Sequence, residues 1–243
     1  MSNSFFKFKQ FNINQDGCAM KVCTDACIEG AWFARKHFPN ARILDIGTGT
    51  GLLMLMMAQK HSGEIHGIEL DNKAYSQLLE NTGASKWKDS LRVFPGDARS
   101  FSFPVKYDFI ITNPPFYEGD LITSSVPKNL ARHSTELTLA ALLEVIDTNL
   151  ATTGSFGILL PYHRMDYFEE LAADRLFYLQ DKLLVRQTPR HEPFRAILQF
   201  SRIVEGSRIR EDSIPVTTLL IKDEAGQYTE AFVELLKDYY LYL

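Results

Sequence analysis

The sequence has few cysteines, no long hydrophobic run and no excess of positive charge. Its three cysteines are an odd number among 243 residues, which argues against a disulfide framework and favours a reducing compartment. No apolar run reaches the roughly 18 residues that a membrane-spanning helix needs. The first residues also lack the basic and apolar regions of a signal peptide. We therefore expect a cytoplasmic protein that does not contact a membrane.

The charge balance is that of an ordinary globular chain. The formal net charge is −4 and the isoelectric point is about 5.9, so any contact with nucleic acid must come from a local patch. The length suits one large domain. Cys18, Cys23 and Cys27 have no evident fourth ligand nearby, and we therefore expect no zinc site and no other metal.

Short β-rich segments alternate with helical segments along most of the chain. We predict core strands at residues 42–46, 64–69, 91–94, 107–112, 155–160, 178–186 and 195–203. Segments with helical spacing lie at 52–59, 73–81 and 137–150. This alternation predicts an α/β fold with a seven-stranded, mostly parallel sheet that helices cover on both faces. The last two strands are expected to be antiparallel.

Two segments fall outside the predicted α/β core of residues 31–203. Residues 1–30 precede it as an N-terminal extension. Residues 204–243 follow it, with a candidate strand at 216–221, a turn at 223–226 and a helix at 229–240. We treat both segments as additions to a single domain.

A glycine-rich loop follows the first predicted core strand, with Asp45, Gly47, Gly49 and Gly51 at alternate positions. Ligands of open α/β sheets bind beyond the carboxyl ends of the strands, and glycines let the backbone approach a ligand closely. The dinucleotide-binding pattern would need a glycine where this sequence has Leu52. The spacing instead resembles the first motif of the Rossmann-like class I methyltransferases, whose loop cradles S-adenosylmethionine.

Two acids follow the next strands in the order that this resemblance implies. Glu69 ends the second strand, where a carboxylate can accept hydrogen bonds from both ribose hydroxyl groups, and Leu70 would pack on the adenine. Asp97 and Ala98 follow the third strand, where the family places an acid near the adenine amino group. Each acid alone is equally well explained as an ordinary strand-end residue, but the ordered set favours a cofactor site.

The fourth predicted strand ends at Asn113, Pro114, Pro115 and Phe116. An exocyclic or amide nitrogen is a weak nucleophile, because a ring or a carbonyl shares its lone pair. The Asn113 side-chain oxygen and the Pro114 carbonyl can accept hydrogen bonds from such an NH₂ group and stabilise the positive charge that develops on it. Phe116 offers a flat face for stacking a base that has left its helix. The loop predicts methylation of a planar nitrogen without a metal; its alternative is a structural proline turn.

Motifs along nearly the whole chain resemble the bacterial tRNA adenine-N6-methyltransferases. The resemblance is carried by the two loops together with Lys21-Val22-Cys23-Thr24-Asp25, Gly30-Ala31-Trp32 and Arg132-His133. That family modifies the purine next to the anticodon of a valine tRNA, at position 37. The resemblance therefore implies S-adenosylmethionine as the cofactor, tRNA as the partner and N6 of adenine as the target. It also implies that Thr24 and Asp25 help to close the cofactor pocket, although Cys23 and Ala26 replace two glycines that are usual in relatives.

Two groups of basic residues are candidates for RNA contact. The first, between residues 182 and 202, contains Lys182, Arg186, Arg190, Arg195 and Arg202. The second contains Lys7, Lys9 and Lys21, interleaved with Phe5, Phe6, Phe8 and Phe11. Basic side chains beside aromatic rings suit phosphates and unstacked bases, although charged edge strands also prevent aggregation. Arg132 and His133 are further candidates for contact with the substrate.

Three other functions remain open. A glutamine amide in a translation release factor poses the same chemical problem, but those enzymes usually carry a helical N-terminal domain and tyrosine at the position of Phe116. Ribosomal RNA guanine-N2-methyltransferases can share the proline loop but are usually longer. The intact Asn113 and glycine loop argue against an RNA-binding module that has lost catalysis. No motif encodes the oligomeric state, and we expect a monomer.

Overall fold

An eight-stranded sheet forms the centre of the computed structural model, which describes residues 4–16, 20–36, 38–115, 137–203 and 214–243. A hairpin of β1 (Phe5–Lys7) and β2 (Asn12–Asn14) precedes it. The strands of the sheet are β3 (Ile43–Ile46), β4 (Ile65–Glu69), β5 (Leu91–Pro95), β6 (Tyr107–Thr112), β7 (Leu150–Pro161), β8 (Phe177–Arg186), β9 (Arg195–Arg202) and β10 (Val216–Leu220). Their order across the sheet is β10-β8-β9-β7-β6-β3-β4-β5.

The seven predicted core strands are confirmed as β3 to β9. Neighbouring strands run parallel except at β9, which pairs antiparallel with both β7 and β8. The predicted strand of the C-terminal segment is β10, and it adds an eighth strand by pairing in parallel with β8. Since the strands β3 to β6 are parallel, their carboxyl ends meet at one edge of the sheet.

Six α-helices are described, and caps fix the start of several of them. They are α1 (Thr24–Ala34), α2 (Leu52–Ala58), α3 (Asn72–Gly83), α4 (Leu139–Asn149), α5 (Met165–Asp174) and α6 (Glu230–Leu236). Side chains of Asp71, Thr138 and Thr229 accept bonds from the first-turn N–H groups of α3, α4 and α6. The sequence did not predict α1 or α5. The last helix ends at Leu236, before the predicted residue 240, and Tyr239 packs into the core.

Helices cover both faces of the sheet, and alternate strand residues pack against each face. Ile43 of β3 belongs to the apolar cluster that includes α1, α2 and α6. Leu44 and Ile46 belong to the cluster that includes α4 and α5. Asp45 therefore faces the α1 side, although it is acidic and buried.

The N-terminal hairpin corrects part of the predicted RNA-binding group. Phe8 and Phe11 are buried, and their rings stack on each other with centroids 4.5 Å apart. Phe8 also packs near Tyr240 at the C-terminal end of the chain. These two rings belong to the core and cannot stack on bases, whereas Phe5 is 53% exposed. Burial of these rings is favoured over exposure to solvent, because removing a large aromatic side chain from water stabilises the fold by on the order of 2–3 kcal/mol.

Candidate active site

The glycine loop after β3 adopts backbone angles that favour glycine. Gly47, Gly49 and Gly51 have φ angles of 70°, 57° and 93°, in the left-handed region that disfavours a Cβ atom. A Cβ atom added at Gly47 or Gly49 would meet nothing within 4 Å, so this backbone borders open space. One added at Gly51 would come within 2.8 Å of Leu78 on α3. The first two glycines leave room for a ligand, and the third permits close packing.

Asp45 lies directly before this loop and has one unused acceptor. Its Oδ2 accepts a 2.5 Å hydrogen bond from the Thr48 hydroxyl. Its Oδ1 is enclosed and has no hydrogen-bond partner in the part of the chain that the structure describes. Burial raises the pKa of Asp45 to about 7, and the bond from Thr48 opposes this rise. The Glu69 charge also raises the pKa, whereas the Met54 N–H lowers it. An enclosed acceptor of this kind calls for a donor from a ligand.

Glu69 fixes the glycine loop to the end of β4. Its Oε2 accepts a 2.8 Å bond from the Gly49 N–H, and its Oε1 accepts a 2.7 Å bond from the Asp71 N–H. Each carboxylate oxygen can accept a second bond, so the bonds from two ribose hydroxyl groups are compatible with this arrangement. Leu70 beside it is 59% exposed, which leaves an apolar surface next to the predicted ribose position.

Asp97 lies just after β5, at the same edge as Glu69, but a neighbour engages its carboxylate. Arg99 Nε donates to its two oxygens at 2.9 and 3.0 Å, and these bonds lower the pKa of Asp97. The Gly96 N–H donates to the Glu69 carbonyl at 2.9 Å, which joins the ends of the two strands. Ala98 packs partly buried beside the core. An adenine amino group at this position would therefore share Asp97 with Arg99.

Asn113 stands at the end of β6 with an enclosed acceptor. The preceding Thr112 donates from its hydroxyl to the Ile46 carbonyl at 2.9 Å, so the proline loop begins beside the glycine loop. The Asn113 Oδ1 is buried and lacks a hydrogen-bond partner among the described residues. Pro114 is buried and Pro115 is exposed. Of the predicted substrate-contacting residues, Phe116, Arg132 and His133 lie outside the described residues.

The first turn of α1 brings two predicted site residues to the same region. Thr24 is the first residue of the helix, and Asp25 follows it. Asp25 Oδ2 lies 2.8 Å from Arg195 Nε on β9, and the side chains are 12% and 25% exposed. Arg195, which was predicted to contact RNA, is therefore partly buried and paired within the chain.

One buried acid near the site was not predicted. Glu29 on α1 is fully buried, and the Leu159 N–H favours its charged form, although neither carboxylate oxygen has a partner that meets hydrogen-bond geometry among the described residues. Burial raises its pKa well above the ordinary value, and the charges of Asp45 and Asp25 act in the same direction. Its only signal in the sequence is an acid in an otherwise apolar helical stretch. That signal was missed because α1 itself was not predicted.

Most basic side chains between residues 182 and 202 have partners within the chain. Lys182 pairs with Glu169, and Arg202 pairs with Asp147. Arg186 donates to the carbonyls of two residues in the following loop. Arg190 is exposed, as are Lys7, Lys9 and Lys21 in the N-terminal group, and Lys9 Nζ donates to the Lys237 carbonyl at 2.5 Å.

These features fit S-adenosylmethionine better than a metal. The glycine edge is open, Glu69 stands at the predicted ribose position, and Asp45 has an oxygen without a partner next to the loop. The described residues contain no group of three His, Cys, Asp or Glu side chains that could hold a metal ion.

None of the described helices is long and apolar enough to cross a membrane.

Comparison with known proteins identifies the class of enzyme. The family model for the methyltransferase small domain matches residues 29–148, which include the glycine and proline loops. A solved structure described as a predicted O-methyltransferase from Agrobacterium tumefaciens superposes with a TM-score of 0.63 and 14% identity, over 88% of this chain and 96% of that one. The fold and the site define an S-adenosylmethionine-dependent methyltransferase.

Two curated relatives then identify the family. A Dyadobacter fermentans protein named tRNA1(Val) (adenine(37)-N6)-methyltransferase is 39% identical over 241 residues, which cover 98% of each chain. A Bacteroides fragilis protein of the same name is 35% identical over 244 residues, or 99% of each chain. The chain belongs to this family of methyltransferases.

Proposed function

We propose that this enzyme transfers the methyl group of S-adenosylmethionine to N6 of the adenine at position 37 of a valine tRNA. One structural observation carries the proposal. The buried Oδ1 of Asn113 has no hydrogen-bond partner among the described residues, and it stands where β6 ends beside the glycine loop. An enclosed acceptor without a donor is costly, and an incoming NH₂ group would remove that cost.

The chain contributes orientation and charge stabilisation. S-adenosylmethionine, when bound, supplies a methyl group already activated by its sulfonium. The Asn113 Oδ1 and the Pro114 carbonyl accept the two hydrogens of the target NH₂ group, which turns the nitrogen lone pair towards the methyl carbon. The same two oxygens stabilise the positive charge that grows on nitrogen during transfer. Since no base has to remove a proton beforehand, alignment supplies most of the rate.

We further propose that exposed basic side chains guide the tRNA. Arg190 and Lys7 are exposed and lie in the two predicted RNA-binding groups. Arg195 and Arg186 are assigned a structural role instead, because Asp25 and loop carbonyls engage them. Neutralising Arg190 or Lys7 should weaken tRNA binding and make the salt dependence of binding shallower.

The target is tested with purified valine tRNA transcripts and methyl-labelled cofactor. The transcript with adenosine at position 37 should yield labelled N6-methyladenosine after digestion, and a matched transcript with guanosine there should remain unlabelled. Label in guanosine would favour the ribosomal RNA type of activity. A parallel assay with a purified release factor tests the other alternative, since label in its glutamine, with none in tRNA, would favour amide methylation.

We also propose that the enzyme is a monomer and that it meets its tRNA in the cytoplasm. Light scattering during size-exclusion chromatography tests the first point. A dimer mass at micromolar concentration would contradict it.

A further inference from the structure

Glu29 is a buried acid that the reaction described above does not use. It lies four residues after Asp25 on α1, so the two side chains share one face of the helix. Its side chain is 0% exposed. The Leu159 N–H favours its charged form, but neither Oε1 nor Oε2 has a partner that meets hydrogen-bond geometry within the described ranges. Ionising a buried carboxyl group costs free energy, and so does leaving its oxygens without hydrogen bonds.

The groups that face Glu29 give its surroundings an excess of acid. Asp25 and Asp45 both raise its pKa through their charges, after the larger effect of burial. Asp25 is itself paired with Arg195 at 2.8 Å. The packed elements α2 and β7 contain no titratable side chain. The glutamates of α6, Glu230 and Glu234, are exposed to solvent.

The unused acceptors lie on the same side of the sheet. Asp45 faces the α1 side, as the strand alternation requires, and its Oδ1 lacks a partner just as the Glu29 oxygens do. Together they offer three buried acceptor atoms on this side of the sheet, of which Asp45 Oδ1 belongs to the residue directly before the glycine loop. The methionine end of S-adenosylmethionine carries an ammonium group, which has three N–H donors and a full positive charge.

We propose that Glu29 joins Asp45 in receiving the α-ammonium group of S-adenosylmethionine, and that Glu29 loses a proton when the cofactor binds. The ammonium supplies the positive charge and the donors that these carboxyl groups lack in the free protein. Cofactor binding is therefore linked to pH through a residue on α1. The inference depends on the proposed function only through the cofactor, so it can be tested without tRNA.

Three ligands separate the ammonium from the sulfonium as the group that Glu29 recognises. S-adenosylmethionine has both charges, S-adenosylhomocysteine has only the ammonium, and 5′-methylthioadenosine has neither. Calorimetry at pH 7 would measure their affinities for the wild type and for Glu29→Gln. We expect the first two ligands to bind about tenfold to a hundredfold more weakly to the variant, as for loss of one charged hydrogen bond. The third should bind unchanged.

Proton release on cofactor binding is measured by the same calorimetry. Titration in two buffers with different ionisation enthalpies gives the number of protons released per cofactor bound. Glu29→Gln should release fewer protons than the wild type. Glu64→Gln, which changes an acid at the opposite end of β4, is the matched control and should leave both affinity and proton release unchanged. Glu29→Leu provides a second test if the glutamine variant folds poorly.

Three results would overturn the inference. Unchanged affinity and proton release would make Glu29 a purely structural acid. Equal weakening of 5′-methylthioadenosine would mean that the variant damages the whole pocket. Weakening of S-adenosylmethionine alone would assign Glu29 to the sulfonium. None of these results bears on methylation of adenine, so failure here remains distinct from failure of the proposed function.

Discussion

Arg195 Nε lies 2.8 Å from Asp25 Oδ2, which joins β9 to the first turn of α1 across 170 residues of sequence. The sequence motifs had placed the arginine on an RNA surface and the aspartate in a cofactor pocket. Their pairing makes the arginine a support for the cofactor side of the site. Both side chains are largely buried, so solvent screens this pair less than a surface ion pair.

Removing Arg195 should affect the cofactor more than the tRNA. In Arg195→Gln the Asp25 carboxylate loses its charged partner, and we expect the protein to lose about 1–3 kcal/mol of stability and several-fold cofactor affinity. Urea unfolding and calorimetry measure the two effects. Combining the change with Asp25→Asn in a double-mutant cycle isolates the pair. The control is Arg190→Gln, which should weaken tRNA binding alone; the reverse pattern would restore Arg195 to the RNA surface.

Removing the Asn113 acceptor should impair turnover while leaving the cofactor bound. Asn113→Ala loses the oxygen that orients the target NH₂ group, and we expect kcat to fall about 10²- to 10³-fold, by analogy with loss of one oriented group at a reacting centre. Single-turnover methylation with saturating cofactor gives the rate, and calorimetry gives the affinity. Asn149→Ala, at the far end of α4, serves as the matched control. Near-normal turnover of Asn113→Ala would remove the residue from the mechanism.

Adding a methyl group at Gly49 should block the cofactor with little other damage. Gly49→Ala places a Cβ atom in open space but at a φ of 57°, which costs about 1 kcal/mol. We expect at least tenfold weaker cofactor binding, because the new atom occupies the space left for the ligand. Gly226→Ala has the same strain, with a φ of 80° and nothing within 4 Å, in a turn between β10 and α6. It should lose similar stability with no change in cofactor affinity.

The stability of the cofactor-free protein should respond to Asp45 as the pH rises. Its pKa is raised to about 7, so the buried acid favours the protonated form. Asp45 loses its proton near pH 4 in the unfolded chain and near pH 7 in the folded chain. The stability that protonated Asp45 contributes is therefore complete below pH 4 and is lost as the pH rises from 4 to 7. The loss is at most about 4 kcal/mol, at about 1.4 kcal/mol per pKa unit.

Asp45→Asn removes this dependence while its side-chain oxygen can still accept the Thr48 bond. Urea unfolding at pH 4.5 and pH 8 should show the variant gaining stability, relative to the wild type, at the higher pH. His66 changes stability in the opposite direction, because burial lowers its pKa and stability falls as the pH drops below about 6.5. Comparing variant with wild type at each pH cancels that effect. An equal difference at both pH values would contradict the prediction.

The strands and the two loops were predictable from the sequence because their causes are local. Short β-rich segments that alternate with helical segments predict β3 to β9, and left-handed φ angles in a tight loop favour the glycines from Gly47 to Gly51. Pro114 and Pro115 end β6, because proline lacks the N–H group that would continue the hydrogen-bond ladder of the sheet. The Asn113 position follows from that local stop. The sequence by itself therefore determined the sheet, the edge where a ligand binds and the class of cofactor.

Only the tertiary structure decided which side chains remain available to a ligand. Phe8 and Phe11 enter the core instead of facing bases, Arg195 pairs with Asp25, and Glu29 is enclosed beside Asp45 without a partner. Each outcome depends on packing between segments far apart in the chain. Burial and ion pairing depend on which distant segments meet in the folded chain and not on the residues next to each other in the sequence, so no local pattern encodes them.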